Sequence, residues 1–297
     1  MSRIDGLIQQ QGVLPLPGVF DTLSARIAER VGYRMAIVSG YSVAATTIGE
    51  PDMGLLTQTE LVDRARRICG SVSIPILVDA DTGYGNPLNV FRTVKELIAC
   101  GAAGCFLEDQ VWPKRCGHMR GKQVIPTDAY LQKIRAAVEA RGDQDFFIVA
   151  RTDALAVEGL ESALQRVMAA RQAGANASFI EAPDSLDTLR AIGQRSPGPN
   201  VANMIEGGKT PLLEQQELKS LGFSLILHPL SGLYAAARAL EQTFTQLLHQ
   251  GSSRGLEDRM MTFGEFNSLV DLDAKYAMEE RFAVSDAQAT HRERENS

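Results

Sequence analysis

The chain has 297 residues, 44% of them hydrophobic, with 36 acidic against 30 basic side chains and a formal net charge of -6. That length suits one α/β barrel of about 250 residues plus an appendage, and an acidic balance without a basic stripe argues against a nucleic-acid partner. No stretch reaches the ~18 consecutive apolar residues of a membrane span, and MSRIDGLIQQ lacks the basic-then-apolar order of a secretory leader, so a cytoplasmic protein without a membrane partner is expected.

From about residue 13 to residue 250, short apolar runs alternate with segments of helical period, and eight such pairs can be counted. The runs occupy residues 13–18, 35–40 (MAIVSG), 75–81 (PILVDAD), 104–109 (GCFLED), 146–153 (FFIVARTD), 177–182 (ASFIEA), 200–204 (NVANM) and 224–229 (SLILHP). Apolar strands without alternation are what a parallel sheet covered on both faces requires. Between them, Thr57 with Glu60 forms the capping box of a helix that puts Leu61, Ala65, Ile68 and Cys69 on one face. Asn86 before Pro87 opens another, bearing Val90, Val94, Leu97 and Ile98. Thr210 before Pro211 is expected to open a third, and Gly142, Gly174 and Gly251 read as stops. The first strand is not followed by GxGxxG, which removes support for an open dinucleotide-binding sheet and favours a closed (β/α)8 TIM barrel over residues 1–254. Residues 255–284 keep helical apolar spacing after the eighth unit is complete, so a packing role between subunits is expected. Residues 285–297 are polar and are expected to form a disordered tail.

In barrel enzymes the reacting groups sit at the C-terminal ends of the strands and in the loops that follow. Here those ends carry Ser39 and Gly40, Asp79 and Asp81, Glu108 and Asp109, Arg151 and Asp153, then Glu181, Asn203 and His228. Asp79, Asp81 and Glu108 on adjacent strands would repel one another without a cation. An oxygen-only set selects Mg²⁺, or Mn²⁺, over zinc, and Mg²⁺ keeps waters while holding one or two carboxylates directly. The alternative is that these acids cap helices or pair with lysine or arginine. After the fourth strand, EDQVWPKRCGHMRGK surrounds Cys116 with Lys114, Arg115 and His118. Cations lower a thiol's pKa from its ordinary value of about 8.5, so this cysteine is expected to be poised to give or take a proton. Gly117 and Gly121 would let the loop close over a ligand. Cys69, Cys100 and Cys105 lie on apolar faces and read as structural, and without CxxC spacing all four thiols are expected to be reduced. Arg151 offers a fork to a carboxylate, or a salt bridge to Asp153 or Glu181. The amides around Ser39, Gly40 and Tyr41 suit a carboxylate or an oxyanion. The glycines of IEGGK (205–209) suit backbone approach to a substrate carboxylate, and His228 before Pro229 reads as structural. No strand end carries a lysine, which argues against a Schiff-base aldolase.

The segments VDADTGYG, EDQVWPKRCGH, ARTDALAVEGL and FIEAP resemble the isocitrate lyase and phosphoenolpyruvate mutase superfamily, over about residues 13–282. KRCGH after EDQ resembles its lyase branch, since phosphonomutases of the same fold lack that cysteine. The resemblance implies Mg²⁺-dependent cleavage of a carbon–carbon bond in a small 2-hydroxy di- or tricarboxylate, giving a 2-oxo acid such as pyruvate and a second carboxylate. It implies Cys116 as general acid, with Lys114, Gly117 and His118 on the same gating loop. It further implies Mg²⁺ bound directly through Asp79, with Asp81, Glu108 and Asp52 acting mainly through waters. Arg151, Glu181 and Asn203 match substrate-contacting positions, and Ser39, Gly40 and Tyr41 match the loop that holds the α-carboxylate. A homotetramer with its final helix exchanged between subunits is also implied. Two departures from the 2-methylisocitrate lyases, Tyr41 for glycine and Ile205 for threonine, make the chain more similar to 2,3-dimethylmalate lyases. A third carboxylate buried against Ile205 without a hydrogen bond would cost several kcal/mol. Hydrolysis of oxaloacetate to oxalate and acetate at the same site is the second reading; a phosphonomutase-type enzyme and a non-catalytic binding barrel are the remaining ones.

Overall fold

Eight parallel strands close on themselves in chain order in the computed structural model, which describes residues 2–283. They are β1 (Leu14–Val19), β2 (Ala36–Val38), β3 (Ile76–Asp79), β4 (Gly104–Glu108), β5 (Phe147–Thr152), β6 (Ala177–Ile180), β7 (Asn200–Asn203) and β8 (Leu225–His228). The last returns to the first, from Leu14 opposite Leu225 to Pro17 opposite His228. The expected (β/α)8 barrel is the fold, with a helical segment after it.

The apolar runs lack alternation because both faces are covered. Leu14, Leu16, Ile37, Leu77, Phe106, Phe147, Val149, Phe179, Val201, Leu225 and Leu227 meet in one buried cluster inside the barrel. Their strand neighbours Val38, Val78, Cys105, Leu107, Ile148 and Ala150 pack outward against the helices. Ile4, from the helix Arg3–Gln11, joins the inner cluster.

Strand register decides which side chains meet at the rim. Glu108 sits directly opposite Arg151, and Arg151 opposite Phe179, so a carboxylate and a guanidinium leave adjacent strands side by side. Asp79 is likewise opposite Phe106. Helix caps fix where the connecting segments leave the rim. The Thr57/Glu60 capping box opens Gln58–Cys69, Asn86 caps Pro87–Ala99, and Gly142 follows Thr127–Arg141. Gly174 and Gly251 follow the helices Leu160–Gln172 and Ser231–Gln250 with φ of 107° and 61°.

Thr210 and Pro211 do not open a helix. The Thr210 hydroxyl is buried and bonds nothing among the described residues. The helix Gln215–Ser220 starts later, capped reciprocally by Glu214 and Glu217.

The chain divides into two compact units between Ala237 and Arg238. All eight strands belong to the first. The second carries the end of Ser231–Gln250, a 3-10 turn at Glu257–Arg259 and the helices Phe263–Leu269 and Leu272–Phe282. Asp271, with φ of 58°, separates those two helices. The tail at 285–297 lies outside the described residues. No helix among the described residues is long and apolar enough to cross a membrane.

Candidate active site

The C-terminal rim gathers the strand-end residues picked out above. β2 stops at Val38 because Ser39 turns the chain into the helix Gly40–Thr47, with its hydroxyl accepting from the Ser42 amide at 3.4 Å. The first-turn N–H groups of such a helix have no acceptor within it and present a partial positive charge. Gly40 brings that end against the acids of β3: a Cβ there would lie 3.0 Å from Asp79 Oδ2 and 3.4 Å from Asp81 Oδ1. Only a residue without a side chain leaves that cradle open.

Asp52, Asp79, Asp81 and Glu108 converge on one lysine. Lys114 Nζ lies 2.5 Å from Asp52 Oδ1 and 2.7 Å from Asp81 Oδ1. One ammonium does not balance four carboxylates. Burial, reinforced by Asp79 and Asp52, pushes Asp81 up to about 7 despite Lys114. Burial pushes Glu108 well above the carboxylate range, and neither of its oxygens makes a hydrogen bond, although Oε2 lies 3.2 Å from Arg151 Nε. Buried acids raised in this way are short of positive charge, and a divalent cation with its waters would supply it. The residues fit Mg²⁺ on that ground. Among the described residues no group of three acidic, histidine or cysteine side chains is arranged to hold a metal ion. Mg²⁺ does not require such a group, because it binds through one or two carboxylates and retains water.

Residues 112–122, between β4 and the helix Thr127–Arg141, lie over this rim as a lid. Gln110 holds the stem, accepting from the Arg115 amide at 3.0 Å and donating to the Arg115 carbonyl at 2.8 Å. The Cys116 N–H donates to the Asp52 carbonyl at 3.0 Å. The thiol differs from the sequence expectation. Its neighbours' cations do not lower it, because Lys114 turns to Asp52 and Asp81 while Arg115 turns away to the Arg120 carbonyl at 3.2 Å. Burial dominates and, with Asp52 and Glu181, pushes Cys116 up to about 11. The thiol is therefore protonated at neutral pH, in the form that gives a proton. None of the four cysteines is disulfide-bonded, and Cys105 is buried within β4.

Arg151 makes both salt bridges considered for it. Nε lies 3.0 Å from Asp153 Oδ2 and Nη2 lies 3.4 Å from Glu181 Oε2, over the Phe179 ring at 5.5 Å. Burial opposes ionisation of Glu181, but Arg151 first and His118 next hold its carboxyl down at about 2. Asn203 Nδ2 donates to Glu181 Oε2 at 3.1 Å. The Lys209 amide donates to His118 Nδ1 at 2.9 Å, so a neutral His118 carries its proton on Nε2, which lies 3.2 Å from Glu181 Oε1. Of the IEGGK glycines, Gly208 makes room for this contact. A Cβ on Gly208 would lie 2.7 Å from His118 Nδ1.

Beneath the lid the rim lines two small adjoining, partly open cavities of about 40 Å³ each, sharing Ser39, Asp79, Arg151, Asn203 and Pro229. Tyr41, Asp52, Cys116, Gly117, His118, Glu181 and Ile205 line one of them. The structure thus brings Ser39, Tyr41, Asp79, Arg151, Glu181, Asn203 and the lid residues to a common space. Asp81, Glu108 and Lys114 stand behind it in the ion cluster.

The model of the family described as phosphoenolpyruvate phosphomutase matches residues 4–248. The chain belongs to that family. The family lies within the phosphoenolpyruvate mutase/isocitrate lyase superfamily, which includes 2,3-dimethylmalate lyase. The chain is 53% identical to the chloroplastic carboxyvinyl-carboxyphosphonate phosphorylmutase of Arabidopsis thaliana, over 95% of this chain and 84% of that protein. It is 50% identical to the petal death protein of Dianthus caryophyllus, over 96% of this chain and 90% of the relative. With the 2,3-dimethylmalate lyase of Eubacterium barkeri it shares 40% identity, over 95% of this chain and 98% of the lyase. A solved structure of oxaloacetate acetylhydrolase with 3,3-difluorooxalacetate superposes with a TM-score of 0.89 at 33% identity, covering 95% of this chain and 97% of the other. The expectation of an enzyme of this superfamily is met.

Sequence reasoning passed over Gln110, Lys122 and Tyr84. The first two stand inside EDQVWPKRCGHMRGK, whose dense polarity was the available signal. Tyr84 in DTGYG meets Trp112 in a tilted ring contact at 5.8 Å and links the β3 loop to the lid. The thiol assignment has a direct check: the ultraviolet thiolate absorbance that distinguishes wild type from Cys116→Ser should rise only in alkaline solution, with a midpoint at about 11. A midpoint at or below the ordinary thiol value would mean that the lid's cations govern the group.

Proposed function

We propose that this enzyme is a Mg²⁺-dependent carbon–carbon lyase that cleaves a 2-hydroxy dicarboxylate of the 2,3-dimethylmalate type into pyruvate, or a similar 2-oxo acid, and a second carboxylate. One observation carries the reading: a half-buried, protonated Cys116 thiol lines the same cavity as Asp79. When the hydroxyl proton leaves, the carbonyl forms at C2 and the C2–C3 electron pair passes to C3, giving an enediolate stabilised by its own carboxylate. That carbon must then gain a proton. Cys116 is placed to give it, and general acids of this kind contribute about 10²- to 10⁴-fold in rate.

Bound Mg²⁺ would draw electron density from the α-carboxylate and hydroxyl oxygen and acidify the hydroxyl. Asp79 is read as its direct ligand, with Asp81, Glu108 and Asp52 acting through waters. The amides of Gly40 and Tyr41, after Ser39, hold the α-carboxylate. Arg151 offsets charge that grows during cleavage, Glu181 and Asn203 orient the substrate, and Lys114, Gly117 and His118 carry the lid. A phosphorylmutase reading has no task for Cys116, because migration of a phosphoryl group leaves no carbon to protonate. Oxaloacetate hydrolysis remains the second reading, supported by the likeness to oxaloacetate acetylhydrolase.

Incubation with Mg²⁺ and each acid separately, with products identified by mass, decides among these. Pyruvate with propionate from 2,3-dimethylmalate is expected, lost on chelation and lowered by about 10²- to 10⁴-fold in Cys116→Ala with pyruvate binding retained. Pyruvate with succinate from 2-methylisocitrate, or oxalate with acetate from oxaloacetate, would select the other substrates. Full turnover in Cys116→Ala would remove its assigned role, and no turnover of any acid would leave a binding barrel. Ile205 lines the cavity and offers no hydroxyl to a third carboxylate. Ile205→Thr should accordingly raise kcat/KM for 2-methylisocitrate relative to 2,3-dimethylmalate about tenfold, the equivalent of one hydrogen bond; an unchanged ratio would place the selectivity elsewhere.

We read residues 1–254 as the catalytic barrel and 255–284 as an oligomerisation segment, in a homotetramer with exchanged C-terminal helices. The second unit supports this with Leu248 at 81% and Phe263 at 86% exposure, together with exposed Phe244 and Phe282. Surface of that kind calls for a cover. Light scattering is expected to give four times the chain mass, and a monomer mass would end the proposal.

A further inference from the structure

Lys122 is a buried ammonium with partners on two separate elements. Nζ lies 2.5 Å from the Gly117 carbonyl oxygen, on the lid, and 2.7 Å from Asp153 Oδ1, at the end of β5. A charge taken out of water persists where it is paired and hydrogen-bonded; the Gly117 bond lies within the lid, and the ion pair to Asp153 is the one that joins lid to barrel. Its barrel-side anchor is firmly held. Asp153 Oδ2 accepts from Arg151 Nε at 3.0 Å, and the Asp153 amide donates to Asp109 Oδ1 at 2.9 Å. Asp109 Oδ2 in turn accepts from Thr152 Oγ1 at 2.6 Å and from Arg166 at 3.1 Å.

The lid-side partner is the peptide between the two reactive lid residues, Cys116 and His118. Gly117 lies directly on the site: a Cβ there would be 2.3 Å from Glu181 Cγ and 2.8 Å from Arg151 Nη2. The carbonyl that Lys122 grips therefore fixes how closely Cys116 and His118 approach the strand ends. A circuit closes through Lys122, Asp153, Arg151, Glu181 and His118, and returns to Lys122 along the lid backbone.

We propose that Lys122 is a positioning residue for Cys116, tying the Gly117 carbonyl to Asp153 and so holding the thiol over the rim. Its catalytic consequence rests on the lyase reading above. Its structural consequence does not, and the test uses the latter. In the full-length protein without substrate, Cys116 of Lys122→Met and of Lys122→Gln should be alkylated by iodoacetamide at least tenfold faster than in wild type, with the modified cysteine identified by peptide mass. Cys105, buried in the barrel wall, is the internal control. Faster alkylation of Cys116 with Cys105 unchanged is expected. Equal acceleration of both thiols would make Lys122 a merely structural residue and overturn the proposal, as would an unchanged Cys116.

Should neither variant melt cooperatively, the wild type decides. Partial acetylation followed by alkylation should label Lys122 and Cys116 on the same molecules, read on the single peptide 109–139. Independent labelling of the two would overturn the latch. For the active enzyme, Lys122→Gln should lower kcat by at least tenfold with KM changed less than threefold; a change confined to KM would count against positioning of the acid. Loss of the lyase reading would leave the alkylation result standing, and the reverse also holds.

Discussion

Everything at the rim of this barrel depends on an imbalance of charge. Six carboxylates, from Asp52, Asp79, Asp81, Glu108, Asp153 and Glu181, meet three strongly basic groups, Lys114, Lys122 and Arg151. Buried acids repel and resist ionisation unless cations approach closely. Each base therefore has its position dictated by the acids around it, and two of the three come from the lid. The lid is down because its ammonium groups complete an electrostatic arrangement that the barrel alone leaves unfinished. Where the local supply is sufficient, as at Glu181, the carboxyl is held low; where it falls short, as at Asp81 and Glu108, the carboxyls rise. The shortfall coincides with the place where a divalent ion fits.

The same electrostatics separates two kinds of acid–base behaviour within one small space. Cys116 has Asp52 and Glu181 among its neighbours, and burial with those acids keeps it protonated even though lysine and arginine adjoin it in the chain. A protonated thiol beside a cluster of buried acids is a combination that neither the barrel nor the lid possesses alone. The Gly40, Gly117 and Gly208 positions give it close tolerances, since each lets backbone or a side chain approach where a methyl group would intrude.

The barrel was legible because burial on both faces imposes uninterrupted apolar runs, and those of β3, β4, β5 and β6 are bounded by charged residues at the rim. The strand-end candidates were legible for the same reason: Asp79, Glu108, Arg151 and Asn203 each stand where an apolar run stops. Partnership was not legible. Adjacency to Lys114 and Arg115 suggested a lowered thiol, yet the side chains point to Asp52, Asp81 and the Arg120 carbonyl. Asp52 had no local signal, being far from every strand end in sequence. The room that Gly208 makes for His118 had no signal in the sequence either. The start at Gln215 was missed because Glu214 is a less usual cap than Thr210, although its partner Glu217 completes the same reciprocal pattern.

The two cavities beneath the lid offer about 40 Å³ each, room for a few waters, since about 10–15 Å³ of such space admits one. A dicarboxylate is larger than either. A dicarboxylate seated there would need residues 112–122 to shift outward, and the ease of that shift would then bear on turnover alongside the bond-breaking chemistry.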